Sequence, residues 1–133
     1  MRELLRALAE HLVFFLGPGG YRLAGSHVGS AFGDAWITLE SDDLIWRLVR
    51  DRSQIFLECR ERRGPDDRWY STDLLIHLVT DQKVESAELT PQTAAWIEEH
   101  LPEIEARFGS DEIEGTIRQL QALKRQRAKE LFG

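Results

Sequence analysis

Cysteine and long hydrophobic runs are both scarce in this chain. A single cysteine, Cys59, excludes an internal disulfide and the zinc sites that need several cysteines. The longest apolar patch, residues 12–16, is far shorter than a membrane span, and Glu3, Glu10 and His11 interrupt the apolar core that a signal peptide requires. We therefore expect a cytoplasmic protein that makes no use of a membrane, with Cys59 as a buried, inert thiol.

Positive charge is also in short supply. The formal net charge is −6 and the isoelectric point is about 5.2, which argues against nucleic-acid binding because phosphate recognition needs a basic surface. Residues 81–114 hold ten acidic side chains and two basic ones, whereas residues 118–133 carry a local charge of +4. The acidic stretch either speeds encounter with a basic partner or only keeps the surface solvated.

Catalytic and metal-binding motifs are missing. The four histidines, at positions 11, 27, 77 and 100, lie on different predicted elements without a metal-ligand spacing, and no GxSxG, SxxK or Walker sequence occurs. The pairs Asp42-Asp43 and Asp66-Asp67 fall in predicted turns, where Asp bonds its own backbone. The sequence thus predicts no cofactor, no metal and no catalytic residue. An enzyme or small-ligand binder would need a pocket lined by His27, His77 or Asp73.

The elements that are present predict one α+β domain over residues 1–133. Leucines and phenylalanines at helical spacing predict a helix over residues 2–16. Alternating patterns then predict strands over 21–28, 35–40, 43–50 and 54–60. Further helices follow N-caps at Ser71, Thr90 and Ser110, and Pro102 kinks or breaks the middle one. The predicted fold is an N-terminal helix, a four-stranded antiparallel meander and three C-terminal helices packed on one sheet face.

The strand sequences also predict a register. A two-residue turn at Ser41-Asp42 would place Leu39 opposite Leu44, and a four-residue loop over residues 51–54 would place Leu48 opposite Leu57. One face of the meander is then wholly apolar. The opposite face is mixed and consists of Trp36, Thr38, Ile45, Arg47, Val49, Phe56, Glu58 and Arg60.

The mixed face is the predicted partner-binding site. Trp36, Arg47 and Glu58 align across the strands, which predicts a cation–π contact followed by an ion pair. The apolar side chains around them, Trp36, Ile45, Val49 and Phe56, form a patch that monomers seldom leave in water. Either the first strand and the N-terminal helix cover this face, or another protein does. Aromatic residues and arginine are the types that dominate interface cores.

The stretches "VRDRSQIFLECR" and "WYSTDLL", followed by an acidic helical half, resemble the small cytoplasmic immunity proteins of bacterial toxin–immunity pairs over residues 40–108. The resemblance implies a compact α+β protein that binds rather than catalyses, with acidic side chains such as Glu98, Glu99 and Glu103 facing a basic toxin domain. The alternative is a homo-oligomeric structural or regulatory protein, for example a homodimer, in which the mixed face or the C-terminal helix packs on a second copy.

Overall fold

The computed structural model describes residues 1–17, 20–29 and 34–132. Helix α1 spans Arg2–His11 and is followed by a 3₁₀ turn at Val13–Phe15. The strands are β1 Arg22–Val28, β2 Ala35–Glu40, β3 Leu44–Asp51, β4 Gln54–Glu61 and β5 Tyr70–Ser71. The remaining helices are α2 Thr72–Thr80, α3 Pro91–Arg107 and α4 Ile113–Phe132. None of the helices in the described ranges is both long and apolar enough to cross a membrane.

The sheet is antiparallel, with the strands side by side in chain order from β1 to β5. The prediction of four strands is wrong, because the chain adds β5 after the loop that follows β4. Tyr70 pairs with Cys59, and Ser71 pairs with Glu58. A strand of two residues has no alternating pattern that a sequence reading can detect.

The predicted register is confirmed on one side of β3 and wrong on the other. Leu48 lies opposite Leu57 as expected, whereas Leu39 lies opposite Trp46 instead of Leu44. The turn residues are Asp42-Asp43, because the Ser41 N–H donates to the Leu44 carbonyl (2.9 Å). Moving a turn by one residue shifts the pairing by two, so each side chain stays on its predicted face.

The apolar face, here called the back face, carries the core of the protein. Its buried side chains are Ala35, Ile37, Leu39, Trp46, Leu48, Leu57 and Cys59. Leu4, Leu8 and Leu12, spaced by four residues, turn one side of the N-terminal helical segment onto this face. Each fully buried leucine contributes about 1.5 to 3 kcal/mol by leaving water. The N-terminal helix therefore covers the back face and leaves the mixed face alone.

Helix α3 also packs on the back face. Thr90 caps its N-terminus by accepting from the Thr93 N–H, and Pro91 occupies the first turn, where it leaves no hydrogen bond unmade. The helix continues through Pro102 without interruption. The Tyr21 hydroxyl accepts from Trp46 Nε1 and donates to Glu105 Oε2, both at 3.2 Å, and so ties α3 to the sheet.

Helices α2 and α4 pack at the edge of the sheet formed by β5. The Thr72 hydroxyl at the start of α2 donates to the Leu57 carbonyl of β4 (2.6 Å). Helix α4 packs on α2, where Arg127 forms an ion pair with the buried Asp73 carboxylate. Helix α4 also contacts β5 directly, because Gln121 Nε2 donates to the Tyr70 hydroxyl (2.8 Å).

Candidate protein-binding surface

The mixed face, here called the front surface, is defined by Trp36, Ile45, Arg47, Val49, Phe56 and Glu58. The strands place these side chains in three rows. Val49 lies between Trp36 and Phe56, and Arg47 lies between Thr38 and Glu58. Ile45 lies opposite Arg60. The structure therefore places all six residues of the predicted partner-binding site on one face, but Trp36 lies opposite Val49 and not in line with Arg47 and Glu58.

Arg47 is the centre of the front surface. Its Nε and Nη2 atoms both donate to Glu58 Oε1, the first at 2.7 Å, which confirms the predicted ion pair. The guanidinium carbon lies 4.2 Å from the ring centre of Trp69 and 5.7 Å from that of Trp36. Arg47 therefore contacts both aromatic rings and one carboxylate, which together restrict its side chain to one orientation.

Trp69 is the member of this surface that the sequence reading missed. It immediately precedes β5, and it also receives Arg60, whose guanidinium carbon lies 5.2 Å from the ring centre. Lys124 of α4 donates to the Trp69 carbonyl (3.1 Å) and so holds the backbone in place. The missing signal was β5: once Ser71 pairs with Glu58, alternation predicts that Trp69 falls on the same side as Arg47.

The exposure of the front surface is uneven. Trp36, Arg47, Val49, Phe56 and Glu58 are each half-buried. Ile45 is an exception that corrects the prediction: it lies on this face but is only 9% exposed, so it offers little surface to a partner. Arg60 lies opposite Ile45 on the neighbouring strand. The Trp69 ring packs on Arg60 on the same face of the sheet. The surface available to a partner is thus smaller than the strand pattern predicted.

The end of the front surface nearest β1 is open and aromatic. The His27 ring stacks on Trp36 with ring centres 4.1 Å apart and planes inclined by 19°. A shallow hollow of about 270 Å³ lies beside this stack, between Trp36, Val49 and the turn at Asp51. Asp34 and Arg50 also line it, so its charges are balanced. The hollow has the chemistry of a contact surface for an apolar or aromatic side chain.

The predicted acidic residues lie elsewhere. Glu98, Glu99 and Glu103 are exposed on α3, whose inner side packs on the back face of the sheet. Glu103 pairs with Arg107 at 3.5 Å, and within the described residues neither Glu98 nor Glu99 belongs to an ion pair. Because α3 and the front surface lie on opposite sides of the sheet, the predicted site residues form two separate surfaces.

A small hollow between α2 and α4 contains two of the three residues that a ligand pocket would need. Asp73 and His77 line it with Lys83, Arg127 and Glu130, and its volume is about 30 Å³. Asp73 Oδ1 is buried there without a hydrogen-bond partner. A cavity of this size holds a water molecule rather than a substrate. His27, the third residue, lies on the front surface.

Lys83 and Glu130 form an ion pair at the mouth of this hollow. The hydrogen bond between them raises the pKa of Lys83 and lowers the pKa of Glu130. Both groups are therefore charged at neutral pH and engaged with each other. In the described part of the chain, no group of three or more His, Cys, Asp or Glu side chains is arranged to hold a metal ion.

Cys59 is a core residue. It is fully buried beside Trp46 and Tyr70, its pairing neighbours on β3 and β5. Burial, with a smaller contribution from the Glu58 carboxylate, raises the pKa of its thiol far above the ordinary value. A buried thiol that stays protonated is a poor nucleophile, as expected for a structural cysteine. The comparisons with family models, with curated proteins and with solved structures give no match to this chain.

Proposed function

We propose that this protein is a non-enzymatic protein-binding module of the immunity type, and that it docks its partner on the front surface. One observation carries the proposal. The half-buried Arg47 side chain lies over the rings of Trp36 and Trp69 on a sheet face that neither α1 nor α3 covers. We further propose that the encounter takes place in the cytoplasm, where an unpaired thiol such as Cys59 is ordinary.

The front surface suits protein binding on energetic grounds. Tryptophan and arginine are the residues most often found where truncation costs an interface more than about 2 kcal/mol. Here the contacts with Glu58 and the two rings already restrict the Arg47 side chain. A side chain that is ordered before binding loses less conformational entropy when the partner arrives. Val49 and Phe56 supply the apolar contacts beside it.

The acidic side of α3 supports a second candidate surface. Glu98 and Glu99 are exposed in a stretch of the sequence that has eight more acids than bases. Unneutralised acids of this kind favour a basic partner such as a toxin domain. A standard interface covers about 800 Å² on each protein, too little to include both sides of this sheet. The two surfaces are therefore alternatives for one partner.

Two matched variants decide between these surfaces. We suggest co-expressing the chain with the proteins encoded beside it and measuring the affinity of any complex for wild type, Val49→Arg and Glu98→Lys/Glu99→Lys. We expect Val49→Arg to weaken binding by about 10- to 100-fold, because it places a charge in the centre of the contact. The charge-reversed variant should change affinity by less than about threefold and alter mainly the association rate.

The reverse result would move the contact to α3 and support the basic partner there. If neither variant changes the affinity of a complex that does form, both surfaces are excluded. Thermal unfolding of each variant should be recorded alongside, so that a loss of binding is not confused with a loss of folding.

A further inference from the structure

The outer edge of β1 has no strand beside it among the described residues. All seven residues of β1 are exposed, and β2 is its only neighbour in the described sheet. The Gly29 N–H donates to the Asp34 carbonyl (2.6 Å), and the alternation of antiparallel pairs then directs the backbone groups of Ser26 and Val28 away from β2. Outward-facing N–H and C=O groups in a row are a template for pairing with another strand.

This edge lacks most features that protect edge strands from association. Residues 23–28 contain no Asp, Glu, Lys, Arg or Pro, and Arg22, the charged residue before them, lies 3.5 Å from Glu40, which Arg62 also contacts. A bulge between Leu23 and Gly25 disturbs the pairing with β2 near the start of the strand. Residues 25–28 then continue in regular register. The regular part of β1 is therefore open to pairing.

An apolar flank accompanies the open edge. Leu23 and Val28 lie on the back side of β1 and are 53% and 60% exposed. Met1 and Leu5 approach Leu23 around an open hollow of about 430 Å³. Most of the large apolar side chains that are exposed in the described chain lie on β1 or on the N-terminal helical segment beside it: Leu5, Val13, Leu16, Leu23 and Val28.

We propose that β1 pairs antiparallel with β1 of a second copy of this chain, with the two-fold axis within residues 26–28. The two five-stranded sheets then form one continuous sheet of ten strands. At their exposures, the five apolar side chains offer roughly 400 to 500 Å² per copy, and the β1 backbone adds more, against about 800 Å² per partner in a standard interface. These side chains alone therefore supply more than about half of the area that a standard interface covers on each partner.

The chemistry of the edge favours a second copy over a foreign partner. A strand paired antiparallel with itself presents the same residues on both sides of the axis, so the uncharged flank of one copy meets the uncharged flank of the other. The charged flank of α1, with Glu3, Arg6 and Glu10, lines a separate hollow beside Ile55 and Leu89. No like charges of that flank are brought together. A basic partner, by contrast, finds no free acidic group on β1.

The dimer also extends the front surface. The His27–Trp36 stack lies on the front side of the strand that would form the seam. Pairing through β1 places the two stacks near the axis and leaves both front surfaces on the same side of one sheet. Two partners, or a partner with repeated sites, would then bind side by side.

Sedimentation velocity from about 1 to about 200 µM tests the dimer, because mass action makes its population depend on concentration. We expect the wild type to reach the mass of two chains, and Leu23→Lys/Val28→Lys to raise the dissociation constant by at least about 100-fold through repulsion at the seam. Leu131→Lys is the matched control, since Leu131 is 68% exposed at the end of α4. It should dimerise like the wild type, and all three proteins should keep the same melting temperature under monomeric conditions.

Cross-linking tests the arrangement independently of the lysine variants. Single cysteines at Ser26, His27 and Val28 should include one that forms an intermolecular disulfide under mild oxidation, because residues at the axis meet their own copies. Cys59 is buried and does not compete.

A wild type that stays monomeric at the highest concentration refutes the dimer and leaves the edge to a foreign strand. A dimer in which none of the three cysteines cross-links, or one that Leu131→Lys dissociates as effectively as the β1 variant, refutes the edge-to-edge arrangement.

Discussion

The two edges of the sheet are finished in different ways. At the far edge, β5 pairs with β4, Glu88 bridges to Phe56, and the Leu89 N–H donates to the Ile55 carbonyl (2.8 Å). Helix α2 then packs over this edge and donates from Thr72 to β4. At the near edge, β1 has the same antiparallel pairing with β2, but its outer side meets no other described strand. One edge is closed by the chain itself, and the other has no outer neighbour among the described strands.

The comparison shows where folding stability and association should separate. Side chains at the closed edge lie within the core, so their removal acts on the free energy of unfolding. Side chains at the open edge are largely in water, so their removal acts on association more than on folding. Local opening follows the same order, since edges with few buried contacts unfold at lower free energy than the core.

Truncation of one apolar side chain at each edge should give the largest contrast. Tyr70→Ala removes a fully buried ring from β5 and should lower the free energy of unfolding by about 3 to 5 kcal/mol. Leu23→Ala removes a half-exposed side chain from β1 and should cost less than about 1 kcal/mol. Urea unfolding at a concentration where the chain is monomeric measures both. Equal losses would contradict the difference between the edges.

Breaking the ion pair that joins α2 to α4 should have the next largest effect. Arg127→Leu leaves the Asp73 carboxylate buried without its partner and should destabilise the closed edge by about 2 to 4 kcal/mol, less than for a fully buried pair because Arg127 is partly exposed. Asp73→Leu/Arg127→Leu removes both charges and should recover most of that loss. A double variant as unstable as the single one would show that packing, rather than charge, holds α4.

The order of the elements was predictable from the sequence, but the closed edge was not. Alternating apolar residues fixed the faces of β2, β3 and β4, and the register of β3 with β4 followed from them. The turn before β3 was misplaced by one residue, since the composition of Ser41-Asp42 suits a turn as well as Asp42-Asp43. The Ser41 hydroxyl, which accepts from the Leu44 N–H, decides between them. β5 was missed because two residues carry no period.

The front surface was predictable only in part, because some of its residues depend on β5. The predicted register of β3 with β4 gave the pair Arg47–Glu58, because it places these two residues directly opposite each other. Trp69 depends on β5 and could not be found without it. Ile45 was predicted to be exposed because the alternating pattern tells which face of the sheet a side chain lies on, but not whether other side chains cover it there. The exposure of β1 could not be predicted either, since the sequence of a strand does not show whether another strand pairs with its outer side.

Loss of the single hydrogen bond between α2 and β4 should have a moderate effect. Thr72→Val keeps the shape of the side chain but leaves the buried Leu57 carbonyl without its donor, which should cost about 1 to 2 kcal/mol in urea unfolding. Thr80→Val is a matched control, because Thr80 is exposed and its hydroxyl bonds only locally, donating to the Ile76 carbonyl and accepting from the Gln82 N–H. A control variant that is as destabilised as Thr72→Val would exclude a special role for the α2–β4 bond.

The smallest expected difference between the two edges is in how the free energy of unfolding changes at alkaline pH. Burial raises the pKa of the Cys59 thiol at the closed edge. Above the ordinary thiol pKa, the unfolded chain releases this proton while the folded chain retains it. The stability that Cys59 contributes is therefore present below the ordinary thiol pKa and is lost as the pH rises above that value. Between pH 7 and about 9.5 this loss amounts to about 1 kcal/mol. Cys59→Ala should remove that part of the pH dependence, whereas Leu23→Ala at the open edge should keep it. If Cys59→Ala loses stability with rising pH as steeply as the wild type does, the thiol makes no contribution to the pH dependence. It would then ionise as readily in the folded chain as in the unfolded one, which contradicts its burial at the closed edge.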